Sequence, residues 1–511
     1  MLWTLLRNFL RKSTGAGELD TLIAQGTELL SSGRFSDACS QLSVAHQRWP
    51  QSYEAAYGLG VAQARSGKLA EAAVTLRRAR AIEDTAAVND VIGNVERLRG
   101  RLADAVASYR AALGIDADHV SSLVNLGLTL RDLGEPREAL TLLDRAVQIA
   151  PGHVEALFNR ALVLNDLGRI DECERLIERA LELDPEFSQA HLRRAFALLA
   201  RRNFAEGWRE YAWRVRIPEV DHWQDFPYPL WQGEPLAGKR LLVQAEQGLG
   251  DQIMFASCLN EVIERARDVV IECDPRLAKL FAHSFPSARI YRHRVDGAPD
   301  WAGEAPFDFR ARGGDLPRML RNREEDFPQH RGYLRADSAR MAEWRQRLQQ
   351  SGPGLKIGIA WRGGTPATGE KIRSMSLDTL LSVLVHPSAT FVSLQYGDVG
   401  HDIEAVRRNH GVQIHQWVSS DGALQDVAAL IACLDVVITV CSTPAHLAGA
   451  LGTRGFVMVP TVAEWRYLAA GDRMPWYPGL QLFRQSRFCE WGDVVGAICI
   501  ALKEIESHSR A

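Results

Sequence analysis

Five glycines, Gly33, Gly67, Gly100, Gly134 and Gly168, stand 34, 33, 34 and 34 residues apart, and a chain with that period folds as a stack of like units. Seven residues before each glycine lies a small residue: Gly26, Gly60, Gly93, Gly127 and Ala161. Five residues after come Ala38, Ala72, Ala105, Ala139 and Cys173, and twelve after come Ala45, Ala79, Ala112, Ala146 and Ala180. Pro50, Asp84, Pro151 and Pro185 close four of the units; the third has Ala117 there, flanked by Asp116 and Asp118, which serve the same turn. The pattern predicts two helices per unit. Small residues let them approach closely, the glycine turns the chain between them, and Pro or Asp ends the second. A sixth pair near 187–216 loses the small positions and gains Trp208, Tyr211 and Trp213, and reads as a terminal unit that docks the array on the next domain.

Five units in register resemble tetratricopeptide repeats. Such arrays stack into a superhelix whose concave face binds an extended peptide or partner protein; dimerisation or bracing of the neighbouring domain is the other expectation. At 511 residues the chain is too long for one core, so two or three domains are expected. Its formal charge of −3, from 60 basic and 63 acidic residues, gives no basic excess to attract nucleic acid. The eight cysteines form no C-x-x-C pair and sit mostly in apolar runs, which favours a reducing compartment and a cytoplasmic location. No apolar run is long enough to span a bilayer. Residues 1–18 start with an amphipathic helix that either docks on its own domain or makes a peripheral membrane contact.

After Trp223 the alanine periodicity stops, and short apolar runs alternate with helical patterns, the mark of parallel βαβ units. The clearest strands are Arg240–Gln244, Val269–Cys273, Lys356–Trp361, Thr390–Gln395, Asp435–Val440 and Gly455–Pro460, in two groups around a low-pattern stretch at 292–335. Two doubly wound sheets across a cleft fit this arrangement. The expected division is repeats over 19–216, a first α/β domain over 235–350 and a second over 351–511.

Three loops follow strands, where open α/β sheets bind ligands. In the first, Gln247, Gly248, Gly250 and Gln252 are candidate ligand contacts, and Asp251 is either a general base or a helix N-cap. In the second, Arg362, Lys371 and Arg373 put three cations on a loop with Gly363, Gly364 and Ser374, suited to a diphosphate or simply solvated. In the third, Ser442 and Thr443 open a helix whose free N–H groups suit phosphate or ribose oxygens, with His446 one turn in, as a ligand contact or a packed core residue.

These loops resemble the heptosyltransferase-like glycosyltransferases, glycosyltransferase family 9. The matching stretches are LLVQAEQGLGDQIMFA (241–256), IGIAWRGGTP…RSMSL (357–377), FVSLQYG (391–397) with Gln395, LIACLDVVITVCSTPAHLAGALG (430–452) and WRYL…MPWYPGLQLFRQ (465–485). The resemblance implies a GT-B fold of two Rossmann-like domains, acceptor on the N-terminal side and nucleotide sugar on the C-terminal side. It implies an inverting transfer that uses no metal or other cofactor, with Asp251 as base and phosphate contacts at Lys371–Ser374 and Ser442–His446. One departure stands out: many heptosyltransferases carry Asp-Thr where this chain has Cys441-Ser442. That loss supports an alternative, a degenerate transferase kept as an interaction scaffold.

Overall fold

The computed structural model describes residues 17–218, 220, 223, 226–294, 297–364, 370–418 and 424–510, with backbone alone at 508–510. The helix expected at the chain start and residues 365–369 of the cationic loop lie outside them. The chain forms two compact units, residues 1–186 and 187–511.

The first unit is an all-helical solenoid of helix pairs running from Glu18–Ser31 to Ile170–Leu183. Each period-setting glycine is left-handed, with φ from 75° at Gly33 to 84° at Gly134, a conformation that penalises any side chain. The small residues sit where helices cross. A Cβ added at Gly60 would stand 2.5 Å from Leu76 Cγ, and one at Gly127 would stand 2.8 Å from Leu143 Cγ. In the third unit Asp116 takes the place of the missing proline, its carboxylate accepting the Asp118 N–H at 3.0 Å. At Gly93 the partner is the fully buried ring of Tyr109. Gly93→Ala therefore destabilises the solenoid by about 1–3 kcal/mol despite alanine's better helix propensity, because the ring has no space to yield. Thermal unfolding followed by helical circular dichroism checks this; an unchanged or raised midpoint refutes it.

The second unit begins with the helices Ser188–Ala200 and Phe204–Tyr211, the pair expected to end the repeats, and continues through two parallel sheets. The first sheet contains β1 (Arg240–Gln244), β2 (Asp268–Cys273), β3 (Arg289–Arg292) and β4 (Phe309–Arg312), in the order β3-β2-β1-β4. The second contains β5 (Leu355–Ala360), β6 (Ala389–Ser393), β7 (Ile414–His415), β8 (Val436–Val440), β9 (Gly455–Val459) and β10 (Leu480–Arg484), in the order β10-β9-β8-β5-β6-β7. Counted from its own first strand, the second sheet has the 3-2-1-4-5-6 order of doubly wound folds, and the first sheet has its first four strands. Strands β1, β8 and β9 are buried at every residue, as a parallel sheet covered on both faces requires. In each sheet the winding reverses beside the first strand, which opens a crevice at the carboxyl ends of β1 and β4 and of β5 and β8.

Aromatic rings join the helical pair to both sheets. Trp208 stands edge-on to Tyr211 at 5.7 Å, to Trp465 at 5.6 Å and to Trp476 at 6.0 Å, and its indole N–H donates to the Arg321 carbonyl at 2.9 Å. Phe255 lies 6.0 Å from Trp476, and Phe327 lies 4.8 Å from it. Rings of this size dominate the energetics of such a junction. The pair at 188–211 keeps small residues at two of the repeat's places, Ala195 and Gly207, contrary to the expectation that it loses them, and is fitted to this core by Trp208 and Tyr211 beside them.

Candidate functional site

The loop after β1 leads into the helix Leu249–Phe255. Gly248 holds the N-cap place and Asp251 is the third helical residue, so the expected N-cap reading of Asp251 does not hold. Its Oδ1 instead accepts two N–H groups of Arg466, from Nε at 2.7 Å and from Nη2. The two glycines make room for this arrangement. A Cβ at Gly248 would stand 2.9 Å from Asp251 Oδ2, and one at Gly250 would stand 2.9 Å from the His446 ring. Gln252 is a tie between loops: its amide donates to the Glu246 carbonyl at 2.5 Å and accepts the Asp274 N–H at 2.8 Å. Gln247 donates to the Val220 carbonyl at 3.0 Å.

The loop after β5 is pinned by Gln395, whose Oε1 accepts the N–H groups of Trp361 at 2.9 Å and Arg362 at 2.8 Å. Its Nε2 donates to the Arg362 carbonyl at 3.1 Å. Gly363 passes over the end of β8, where a Cβ would stand 2.7 Å from the Cys441 carbonyl, and its N–H donates to Ser374 Oγ at 3.1 Å. The three expected cations do not converge. Arg362 turns to the Asp398 carbonyl at 3.2 Å and pairs with Asp402 at 3.5 Å. Lys371 is exposed on the short turn Glu370–Arg373. Arg373 is buried, lies against Gly364 and donates to Glu464 Oε1 at 2.7 Å.

At the third loop Ser442 holds the N-cap place of the helix Thr443–Leu451, its hydroxyl bonded to that of Thr439 at 2.8 Å; Thr443 is the first helical residue. His446 is buried, with Nδ1 bonded to the Tyr477 hydroxyl at 3.0 Å. Burial, and then the charge of Arg466, push its pKa down to about 4, so the ring is neutral and offers no positive charge to a phosphate. Cys441 is buried, its thiol donating to the Met458 carbonyl at 3.7 Å; burial and the nearby Glu464 push that thiol up, away from reactivity.

Two charged residues that the sequence reading passed over complete the site. Glu464 and Arg466 flank Trp465 in the turn after β9 and link the second and first loops. Arg373 donates to Glu464 at 2.7 Å, Glu464 lies 3.7 Å from Arg466, and Arg466 grips Asp251. Charges alternate along this chain, which crosses from the second sheet to the first. The turn is strained: Leu468, a buried non-glycine residue, has φ of 61° and ψ of 164°. Such a residue costs about 1–3 kcal/mol and persists only where its surroundings impose it; here Arg484 donates to the Tyr467 carbonyl at 2.5 Å and to the Leu468 carbonyl at 3.1 Å. The sequence signals were the place of Arg466 in the matching stretch that opens at Trp465, and the position of both charges beside aromatic rings, where a charge survives only if paired.

A second buried network fills the crevice between β1 and β4. Arg214, from the 3-10 turn Ala212–Arg216, donates to Glu246 at 3.0 Å and to Asp315 at 2.7 Å, and its guanidinium stands 4.5 Å from the Tyr211 ring and 5.1 Å from that of Trp223. The Gly314 N–H also donates to Glu246 at 2.6 Å. Burial raises the Glu246 carboxyl, with Asp315 adding to the effect. Among the described residues no cluster of three or more His, Cys, Asp or Glu side chains could hold a metal ion, and no helix is long and apolar enough to cross a membrane.

Residues 23–88 and 130–201 match the family described as Tetratricopeptide repeat, so the N-terminal region is built from these repeats. Protein FlbA of Caulobacter vibrioides is 34% identical over 326 residues, covering 61% of this chain and 54% of FlbA. The chain spans about half the length of that curated relative, and the matched stretch is longer than the first unit, so it includes part of the second. Among solved structures, the thermophilic TPR protein TTC0263 of Thermus thermophilus is 23% identical with a TM-score of 0.32, covering 35% of this chain and 97% of that one. YrrB, described as a TPR protein with an unusual peptide-binding site, is 18% identical with a TM-score of 0.28, over 33% of this chain and 88% of its own. MamA is 19% identical with a TM-score of 0.29, over 32% and 96%.

Proposed function

We propose that the second unit is a GT-B glycosyltransferase that moves a sugar from a nucleotide-sugar donor to a hydroxyl of a protein or glycan, with the repeats recruiting the acceptor or a partner protein. What supports the reading is that one unit holds two parallel sheets, and a carboxylate in the loop after β1, Asp251, meets a cation in the turn after β9, Arg466, at 2.7 Å. An inverting transfer needs a carboxylate to take a proton and cations to receive the diphosphate. Asp251 takes the proton of the acceptor hydroxyl as its oxygen bonds to the anomeric carbon. The bond from that carbon to the diphosphate oxygen breaks, and its electron pair leaves on the diphosphate, stabilised by Arg373 and Arg466.

Calorimetric titration of the full chain with nucleoside diphosphates tests the reading, and one base class binds. Arg373→Ala weakens that binding about 10–100-fold, the worth of a charged hydrogen bond. Absence of binding by every nucleoside diphosphate to the folded protein overturns the transferase reading. A second reading, an interaction scaffold that has lost catalysis, is favoured by Cys441, whose buried thiol stands where the resembled family carries a carboxylate. Under that reading the repeats bind their protein partner and the second unit transfers no sugar.

A further inference from the structure

Arg466 is committed twice. Its Nε and Nη2 hold Asp251, and its remaining Nη1 faces Glu464 at 3.7 Å. Glu464 in turn occupies Arg373, which is buried. Two carboxylates of the chain thus sit on the two guanidinium groups best placed to receive a diphosphate, and the base of the proposed reaction is itself one of them. The guanidinium also stands 4.8 Å from the Trp465 ring centre.

Resting on the transferase reading, we propose that Arg466 is a positioning residue shared between base and donor: Asp251 holds it in the free protein, and the donor diphosphate takes it over. In the donor complex the phosphate oxygens replace Oδ1 of Asp251 as partners of Arg466, and Glu464 is displaced from Arg373. Asp251 is then free to accept the acceptor's proton. No bond is made or broken in this exchange; ion pairs change partners, and Asp251 is released from its guanidinium partner only when a leaving group is in place. The site is therefore ordered, donor before acceptor.

Removing a carboxylate from the site strengthens anion binding, whereas a purely structural ion pair predicts weaker binding or none. Asp251→Asn binds nucleoside diphosphate about tenfold more tightly than the natural chain, Glu464→Gln shows a gain of the same sign, and Arg466→Met binds about tenfold more weakly. In the double variant Asp251→Asn with Arg466→Met the gain disappears, since the asparagine acts only through the arginine. The measurement is calorimetric titration of the full chain with the nucleoside diphosphate that binds best, with melting temperatures as the folding check. Glu464→Gln carries the test if Asp251→Asn misfolds. Binding to the natural chain with no gain in either carboxylate variant overturns the exchange and leaves the transferase reading standing. Binding to none of them overturns the transferase reading and the exchange with it.

Discussion

Arg214→Met lowers the stability of the second unit by about 3–5 kcal/mol, the cost of stripping the partner from a buried charge. Arg214 retains 2% of its side-chain exposure and Glu246 6%, while Asp315 retains 17%. Methionine fills much of the volume but leaves two carboxylates facing each other between β1 and β4, with Arg312 at 3.5 Å from Asp315. The defect depends on pH with a definite sign. Burial already raises Glu246, and loss of Arg214 raises it further. A carboxyl raised in the folded state binds its proton more tightly there than in the unfolded chain, so stability falls as pH rises through the folded value. The variant is therefore closest to the natural chain in mild acid and furthest from it at neutral pH and above. Denaturant unfolding followed by tryptophan fluorescence reads this unit selectively, because all of the 13 tryptophans except Trp3 and Trp49 belong to it. A loss below about 1 kcal/mol, or one that does not shrink in acid, shows that the network is not held by the charge of Arg214.

What the sequence made legible was whatever local rules decide. The glycines of the solenoid are set by a left-handed turn and a helix crossing a few residues away, so their spacing reads directly. Runs such as VVITV (436–440) mark buried strands on their own composition. β4 did not read as a strand, since FRAR places arginines in a sheet, where Arg310 donates to the Tyr228 carbonyl at 3.0 Å and to Gln244 at 3.3 Å. Asp251 was legible as a site residue but not its partner. Arg466 lies 215 residues away, and no local pattern encodes a pairing at that separation. The pair at 188–211 shows the same limit: its helices follow the repeat spacing, but its unit is decided by Trp208 and Tyr211 meeting rings from Phe255 to Trp476.

Asp251→Asn lowers the turnover of sugar transfer by about 10²–10⁴-fold, the range for loss of a positioned general base. Asparagine matches the carboxylate in size and its amide oxygen still accepts from Arg466, so the fold and the crevice survive the change. What it lacks is a site for the acceptor's proton. The same substitution removes the charge that holds Arg466, and the remaining hydrogen bond to a neutral amide yields more readily to the donor, so KM for the donor falls together with kcat, and kcat/KM drops less than kcat alone. A variant that merely disordered the helix Leu249–Phe255 would raise KM while lowering kcat, which separates the two causes in one set of initial-rate measurements. Glutamine at Glu464 provides the contrast, because it frees the same cations and leaves the base in place: its KM falls, and its kcat stays within a few-fold of the natural chain's. Natural turnover in Asp251→Asn would remove the carboxylate from the chemistry and leave it as the ion-pair partner of Arg466 that the resting structure displays.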